Sequence, residues 1–168
     1  SVSRLAGLSA VRAGAVRSGL ATTWCGATRT TDDTVHEVDR SSYALHAVYA
    51  YPADKASRFG QYAPVIQQLM KGAADKVAVS GYGQQSLRID LGTNCGPQYV
   101  DISVVPLPYT SAQLQSYASS HGGDAVQLLS EAARAVLDIP WDSGPRNLVI
   151  FADYHEWTGW GGQGYRPW

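Results

Sequence analysis

Charge is scarce in this chain: Asp, Glu, Lys and Arg make up 16% of its 168 residues, where about 25% is usual. Thirteen basic against fourteen acidic residues leave a formal charge of −1, which removes the basic footprint expected of a protein that tracks phosphate backbones. Nucleic acid is therefore not an expected partner. No apolar run approaches the roughly 20 residues needed to span a bilayer, so no transmembrane segment is expected. There is no C-x-x-C pair and no Cys/His cluster, so a structural zinc site has no support. A G-x-S-x-G elbow is also missing, and Ser80-Gly81-Tyr82-Gly83 reads as a turn. The glycine pairs lack the strand-turn-helix setting of a dinucleotide loop.

Cysteine is limited to Cys25 and Cys95. Two thiols can be small buried hydrophobes, but each of these is in a loop-like setting, Thr-Trp-Cys-Gly and Asn-Cys-Gly-Pro. With low charge, 10 Tyr and 5 Trp, the composition favours a disulfide and a secreted, extracellular context. A chain of this length buries roughly two thirds of its unfolded surface and forms a core without staples.

What is present alternates strand and helix signals. Residues 1–23 form a leader, basic at Arg4, Arg12 and Arg17, with Val2, Leu5, Leu8, Val11, Ala15 and Leu20 at near-helical spacing. It reads as an amphipathic leader or an N-terminal helix. Residues 24–168 read as one α/β domain of two or three layers. Its mixed sheet of four to five strands is backed by two main helices in the order β-α-β-β-α-β. The strands are 43–51, 86–91, 99–107 and 147–152. A helix runs from Lys55 to about Val79 with Pro64 as a kink or a second start, and another follows the cap Asp124 from Ala125 to Leu137. Thr110 or Ser111 caps a shorter helix between them.

Chemistry is thinner. His155-Glu156 opens like H-E-x-x-H, but Gly159 occupies the position of the second zinc-binding histidine. His36, His46 and His121 are scattered through a loop, a strand and a glycine-rich turn. The carboxylates Asp90, Asp101 and Asp153 each lie in or at the end of an expected strand and could converge on one sheet edge, where paired acids do general acid/base work or bind calcium. Hydrated or capping strand-end acids are the plainer reading. Residues 154–168 are a tail rich in glycine and aromatics, in which Tyr154, Trp157, Trp160, Tyr165 and Trp168 supply a candidate binding surface. The chain stops on Pro167-Trp168, which raises the expectation that more polypeptide follows.

Three stretches, YALHAVYAYPADKASRFGQYAPVIQQ, LRIDLGTNCGPQYVDISVVPLP, and NLVIFADY followed by GWGGQGY, carry a resemblance. Over residues 24–165 the chain resembles a family of uncharacterised secreted actinobacterial proteins that look like metzincin-type zinc metallopeptidases. Members continue into a helix carrying H-E-x-x-H; this chain has no such segment. The resemblance therefore carries over no catalytic residue. It implies a non-catalytic N-terminal part, inactive alone, with 147–152 as a central strand and 159–165 as the edge strand flanking a substrate cleft. Zinc would enter only with a downstream H-E-x-x-H segment, and the aromatic tail would face that missing portion or a protein partner. The alternative is an extracellular binding or structural module whose C-terminal aromatic surface takes a glycan or a protein. An exposed aromatic tail also implies self-association.

Overall fold

The computed structural model describes residues 19–26, 45–80, 87–138 and 147–154. The leader up to residue 18 and the tail after residue 154 lie outside the described residues.

β1 (Leu45–Tyr51) is the centre of the domain. Aromatic and β-branched residues favour a strand here, and Pro52 ends it because proline cannot donate to the ladder. α1 (Phe59–Ser80) follows and carries Pro64 inside it. Pro64 is the sixth residue of the helix, past the four N–H groups that lack an intrahelical partner, so it removes one i→i−4 hydrogen bond, to Gly60. A short hairpin comes next, β2 (Leu91–Thr93) and β3 (Gly96–Val100), then β4 (Ile102–Pro106). Gly96 has φ +140°, a conformation that suits glycine, and a Cβ there would lie 2.7 Å from the Gln98 side chain.

Two helices follow. α2 (Ser111–Ser120) starts with a capping box, in which Thr110 and Gln113 each accept from the other's backbone N–H. α3 (Val126–Leu137) has no side-chain cap at Ala125, but Asp124 Oδ1 accepts from Val126 N at 2.7 Å. Asp138 closes α3 in the left-handed region, φ 52°. β5 (Asn147–Ala152) ends the described chain.

The result is an α/β domain, as expected from the pattern, but the strands divide between two sheets. β4, β1 and β5 form a parallel sheet in that order; β2 and β3 form a separate antiparallel pair. Val48 lies between Ser103 and Ile150 in register. The expected strand 99–107 is broken at Asp101, whose N–H donates to Asp90 O at 3.1 Å instead of joining either ladder. The expected strand 86–91 is reduced to a single parallel bridge, Leu45 to Ile89, before β2 begins.

Alternation along the strands builds three layers. Ala47, Tyr49, Ile102 and Val104 face α1 through Phe59, Ala63, Ile66 and Met70. Val48, Ala50 and Val105 face α2 and α3 through Leu114, Leu129, Ala133 and Leu137. Such two-sided burial is what parallel sheets require.

Residues 19–26 form a strap across the hairpin. Ala21 N donates to Gln98 O (3.0 Å), Trp24 Nε1 to Val100 O (3.1 Å) and Thr93 Oγ1 to Cys25 O (2.8 Å). The buried Gln67 of α1 joins the two, donating to Ala21 O and accepting from Val100 N. Cys25 and Cys95 are joined in a disulfide, with Cα atoms 5.9 Å apart.

Candidate functional site

In open parallel sheets ligands bind beyond the carboxyl ends of the strands, where successive connections leave on opposite faces. Here β1 leads to α1 on one face and β4 leads to α2 on the other. The crevice between these two connections is closed by the chain itself. Leu107 N donates to Tyr51 O (2.8 Å) and Ala53 N to Tyr109 O (2.9 Å). Asp54 Oδ1 accepts from the N–H and hydroxyl of Ser111, at 2.8 and 3.0 Å, and so occupies the N-terminus of α2. Those hydrogen bonds, the backbone one foremost, hold its carboxyl below the usual carboxylate range.

Beside this crevice, at the end of β5, is a charged clasp. Asp153 accepts from Tyr49 Oη at 2.5 Å, from Arg58 Nε at 3.0 Å and, through its other oxygen, from Arg58 Nη2. Arg58 N in turn donates to Tyr49 Oη at 2.9 Å, and the guanidinium lies 5.2 Å above the Tyr62 ring. Burial alone would raise Asp153, but the Arg58 and Tyr49 hydrogen bonds and the Arg58 charge outweigh it and hold the carboxyl low. Tyr49 is pushed up to about 12, first by burial and then by its hydrogen bond to Asp153. Both Asp153 oxygens, the Tyr49 hydroxyl and Arg58 Nε and Nη2 are committed within the clasp, which holds the exit of β5 against the start of α1.

A second polar cluster lies at the opposite, amino-terminal end of the parallel strands. His46 Nδ1 is 2.9 Å from Asp90 Oδ2, and His46 Nε2 is 2.9 Å from Ser103 Oγ. A carboxylate offers acceptors only, so Asp90 accepts from Nδ1–H, and Ser103 Oγ bonds the other ring nitrogen. Asp101 joins them: His46, Asp90 and Asp101 each offer a ligand atom, all within 4.8 Å of one another. Both ring nitrogens are engaged in hydrogen bonds, so a cation here would have to displace one of them. The order Ser–His–Asp is that of a hydrolase triad. Yet His46, Asp90 and Ser103 are 0% exposed, and a nucleophile without access to substrate does no chemistry.

The three carboxylates singled out in sequence therefore do not share an edge. Asp90 and Asp101 meet at one end of the sheet; Asp153 is at the other, because β5 runs parallel to β1 and its last residue emerges at the carboxyl end. Tyr154 is half-buried against the α2/α3 core rather than displayed, and burial raises its hydroxyl. Trp157, Trp160, Tyr165 and Trp168 lie outside the described residues, as do His36 and His155. His121 is exposed at the end of α2, stacked 3.9 Å from the Tyr117 ring. Sequence reasoning missed Arg58, Tyr49 and Ser103. Ser103 carried a signal, a hydroxyl in the apolar run Ile102–Val105 on the same side of the sheet as His46.

No protein-family model and no curated protein matches this chain. Among the described residues no helix is long and apolar enough to cross a membrane.

Proposed function

We propose that this chain is the non-catalytic N-terminal part of a secreted zinc metallopeptidase, a scaffold that is inactive alone. The observation that supports it most is the clasp of Arg58 and Tyr49 on Asp153. It fixes the direction in which the chain leaves β5 at the carboxyl end of the sheet, the end where α/β domains mount their functional segments. The polar side chains of the clasp and of the His46 cluster bond one another, and no H-E-x-x-H pair is present to hold zinc. His46, Asp90 and Asp101 do not substitute for it, because both imidazole nitrogens are hydrogen-bonded and buried. The Cys25–Cys95 disulfide is compatible with an oxidising compartment.

The reading is tested by following the coding sequence past Trp168 and expressing both lengths. Zinc content by mass spectrometry and hydrolysis of unfolded casein should be found in the extended protein alone. Zinc-dependent hydrolysis by the 168-residue chain would overturn the proposal. So would a stop codon after Trp168 with no second chain copurifying, an outcome that favours the binding-module alternative.

A further inference from the structure

Among the described residues the exposed large apolar side chains are Val65, Leu69 and Val79, at 46%, 54% and 84% exposure, and all three are on α1. Single exposed apolar residues are ordinary; here Val65 and Leu69 adjoin one turn apart, and Val79 lies about 15 Å further along the same helix. Val65, Leu69, Gly72, Lys76 and Val79 succeed one another in alternating steps of about four and three residues, the seam along which two helices pack. The seam is on the opposite side of α1 from Ala63, Ile66, Gln67 and Met70, which the helix buries in its own domain. It runs for about 21 Å at the usual helical rise.

Two further features narrow the occupant. Beside Val79 is a shallow, largely apolar depression of about 420 Å³ lined by Asp75, Lys76, Val79 and Ser80. Lys76 also places a cation inside the apolar seam, so an occupant has to bring both an apolar knob and an acid. α1 itself has both, in Leu69 and in Asp75, whose side chain is 62% exposed although its Oδ2 already accepts from Lys71 Nζ of the same helix at 2.6 Å.

We infer that the outer face of α1 binds a second copy of this chain, with the two α1 helices antiparallel. Pairing Leu69 with Val79 of the second copy sets Leu69 into the depression. The same register lays Lys76 across Gly72 of the second copy, where a Cβ would meet nothing within 4 Å. The Lys76 ammonium then joins Lys71 of the second copy at its Asp75 one turn away, and two-fold symmetry repeats every contact. One helix face is small beside the ~800 Å² per partner of a standard interface, so the dimer forms at high concentration and dissociates on dilution. This inference is independent of the proposed peptidase role.

Sedimentation equilibrium of the whole disulfide-bonded chain, from about 5 to 500 µM, tests it. The mean mass should rise from 18.0 kDa toward twice that value. Leu69→Asp should keep the protein monomeric throughout, with unchanged circular dichroism and melting because Leu69 is outside the core. Lys76→Asp should weaken association at least about tenfold, and adding Asp75→Lys should restore it. A constant mass at every concentration, or association by Leu69→Asp equal to the parent, would overturn the inference. Failure of the double exchange to restore pairing would overturn the antiparallel register. Association abolished by deleting residues 154–168, but not by Leu69→Asp, would assign it to the tail instead.

Discussion

Removing the disulfide with Cys25→Ala and Cys95→Ala together separates what the covalent bond does from what the strap does. The bond spans 70 residues of chain. In the chain-entropy treatment a loop of that length restricts the unfolded ensemble by about 15 cal/mol/K, or about 4 kcal/mol at 25 °C. Total stability for a single domain is on the order of 5–15 kcal/mol, so the loss is roughly a quarter of it or more. The folded state has less to lose. Trp24 Nε1 still donates to Val100 O, Thr93 Oγ1 to the residue 25 carbonyl and Gln67 to Ala21 O, and Trp24 keeps its edge-on contact with Phe59 at 5.1 Å. Urea unfolding followed by tryptophan emission should therefore show a lower midpoint and a loss of about 3–5 kcal/mol. The native emission, taken as a difference against Trp24→Phe, should be unchanged. A loss under about 1 kcal/mol would refute the entropic account. A native Trp24 emission already shifted toward that of the unfolded chain would show that the strap is held by the bond and not by its hydrogen bonds.

Ser103→Ala should cost about 1–3 kcal/mol, because it leaves a fully buried imidazole nitrogen without its hydroxyl partner. Chemical denaturation checks this, and a variant as stable as the parent would remove the cluster from the core's polar balance. Asp153→Asn should flatten the acid limb of stability. The folded carboxyl is held below its ordinary value, so its contribution is present above about pH 4 and lost as pH falls through the folded value. Equal acid sensitivity in parent and variant, read from melting temperatures between about pH 2 and 6, would count against the clasp. The same variant should bring the Tyr49 phenol, pushed up to about 12, back toward the ordinary value, because the hydrogen bond to the carboxylate is lost; ultraviolet titration reads it directly.

Much of the architecture was legible because it follows from periodicity. The run Leu45–Tyr51 and the run Asn147–Ala152 are apolar without alternation, as strands covered on both faces must be. Phe59, Ile66 and Met70 at helical spacing gave α1 its buried side. What was not legible depends on contacts distant in sequence. Nothing local to Asp101 says that its N–H turns to Asp90 and breaks an apolar stretch into β3 and β4. Arg58 and Asp153 are 95 residues apart, and their meeting requires that β5 pair in parallel with β1. The three acids looked alike in sequence because each ends a strand; strand direction alone assigns them to opposite ends of the sheet.

The Asp90–His46–Ser103 relay shows how far the geometry of a triad falls short of catalysis. Its donor and acceptor order suits a nucleophile, but it is fully buried at the amino-terminal end of the strands, with His46, Asp90 and Ser103 all 0% exposed. Its consequence is structural specificity. Ser103 belongs to β4, His46 to β1 and Asp90 to the segment that leads into the antiparallel hairpin, so the relay couples both sheets through one ring. A one-residue slip of β1 against its neighbours would turn His46 to the other face, among Ile66 and Met70, and strand a buried ring without partners. That cost falls on the slipped register alone, since an apolar residue at position 46 would tolerate either face. A polar relay in an otherwise apolar parallel sheet therefore discriminates between registers that Val, Ala and Ile would leave close in energy.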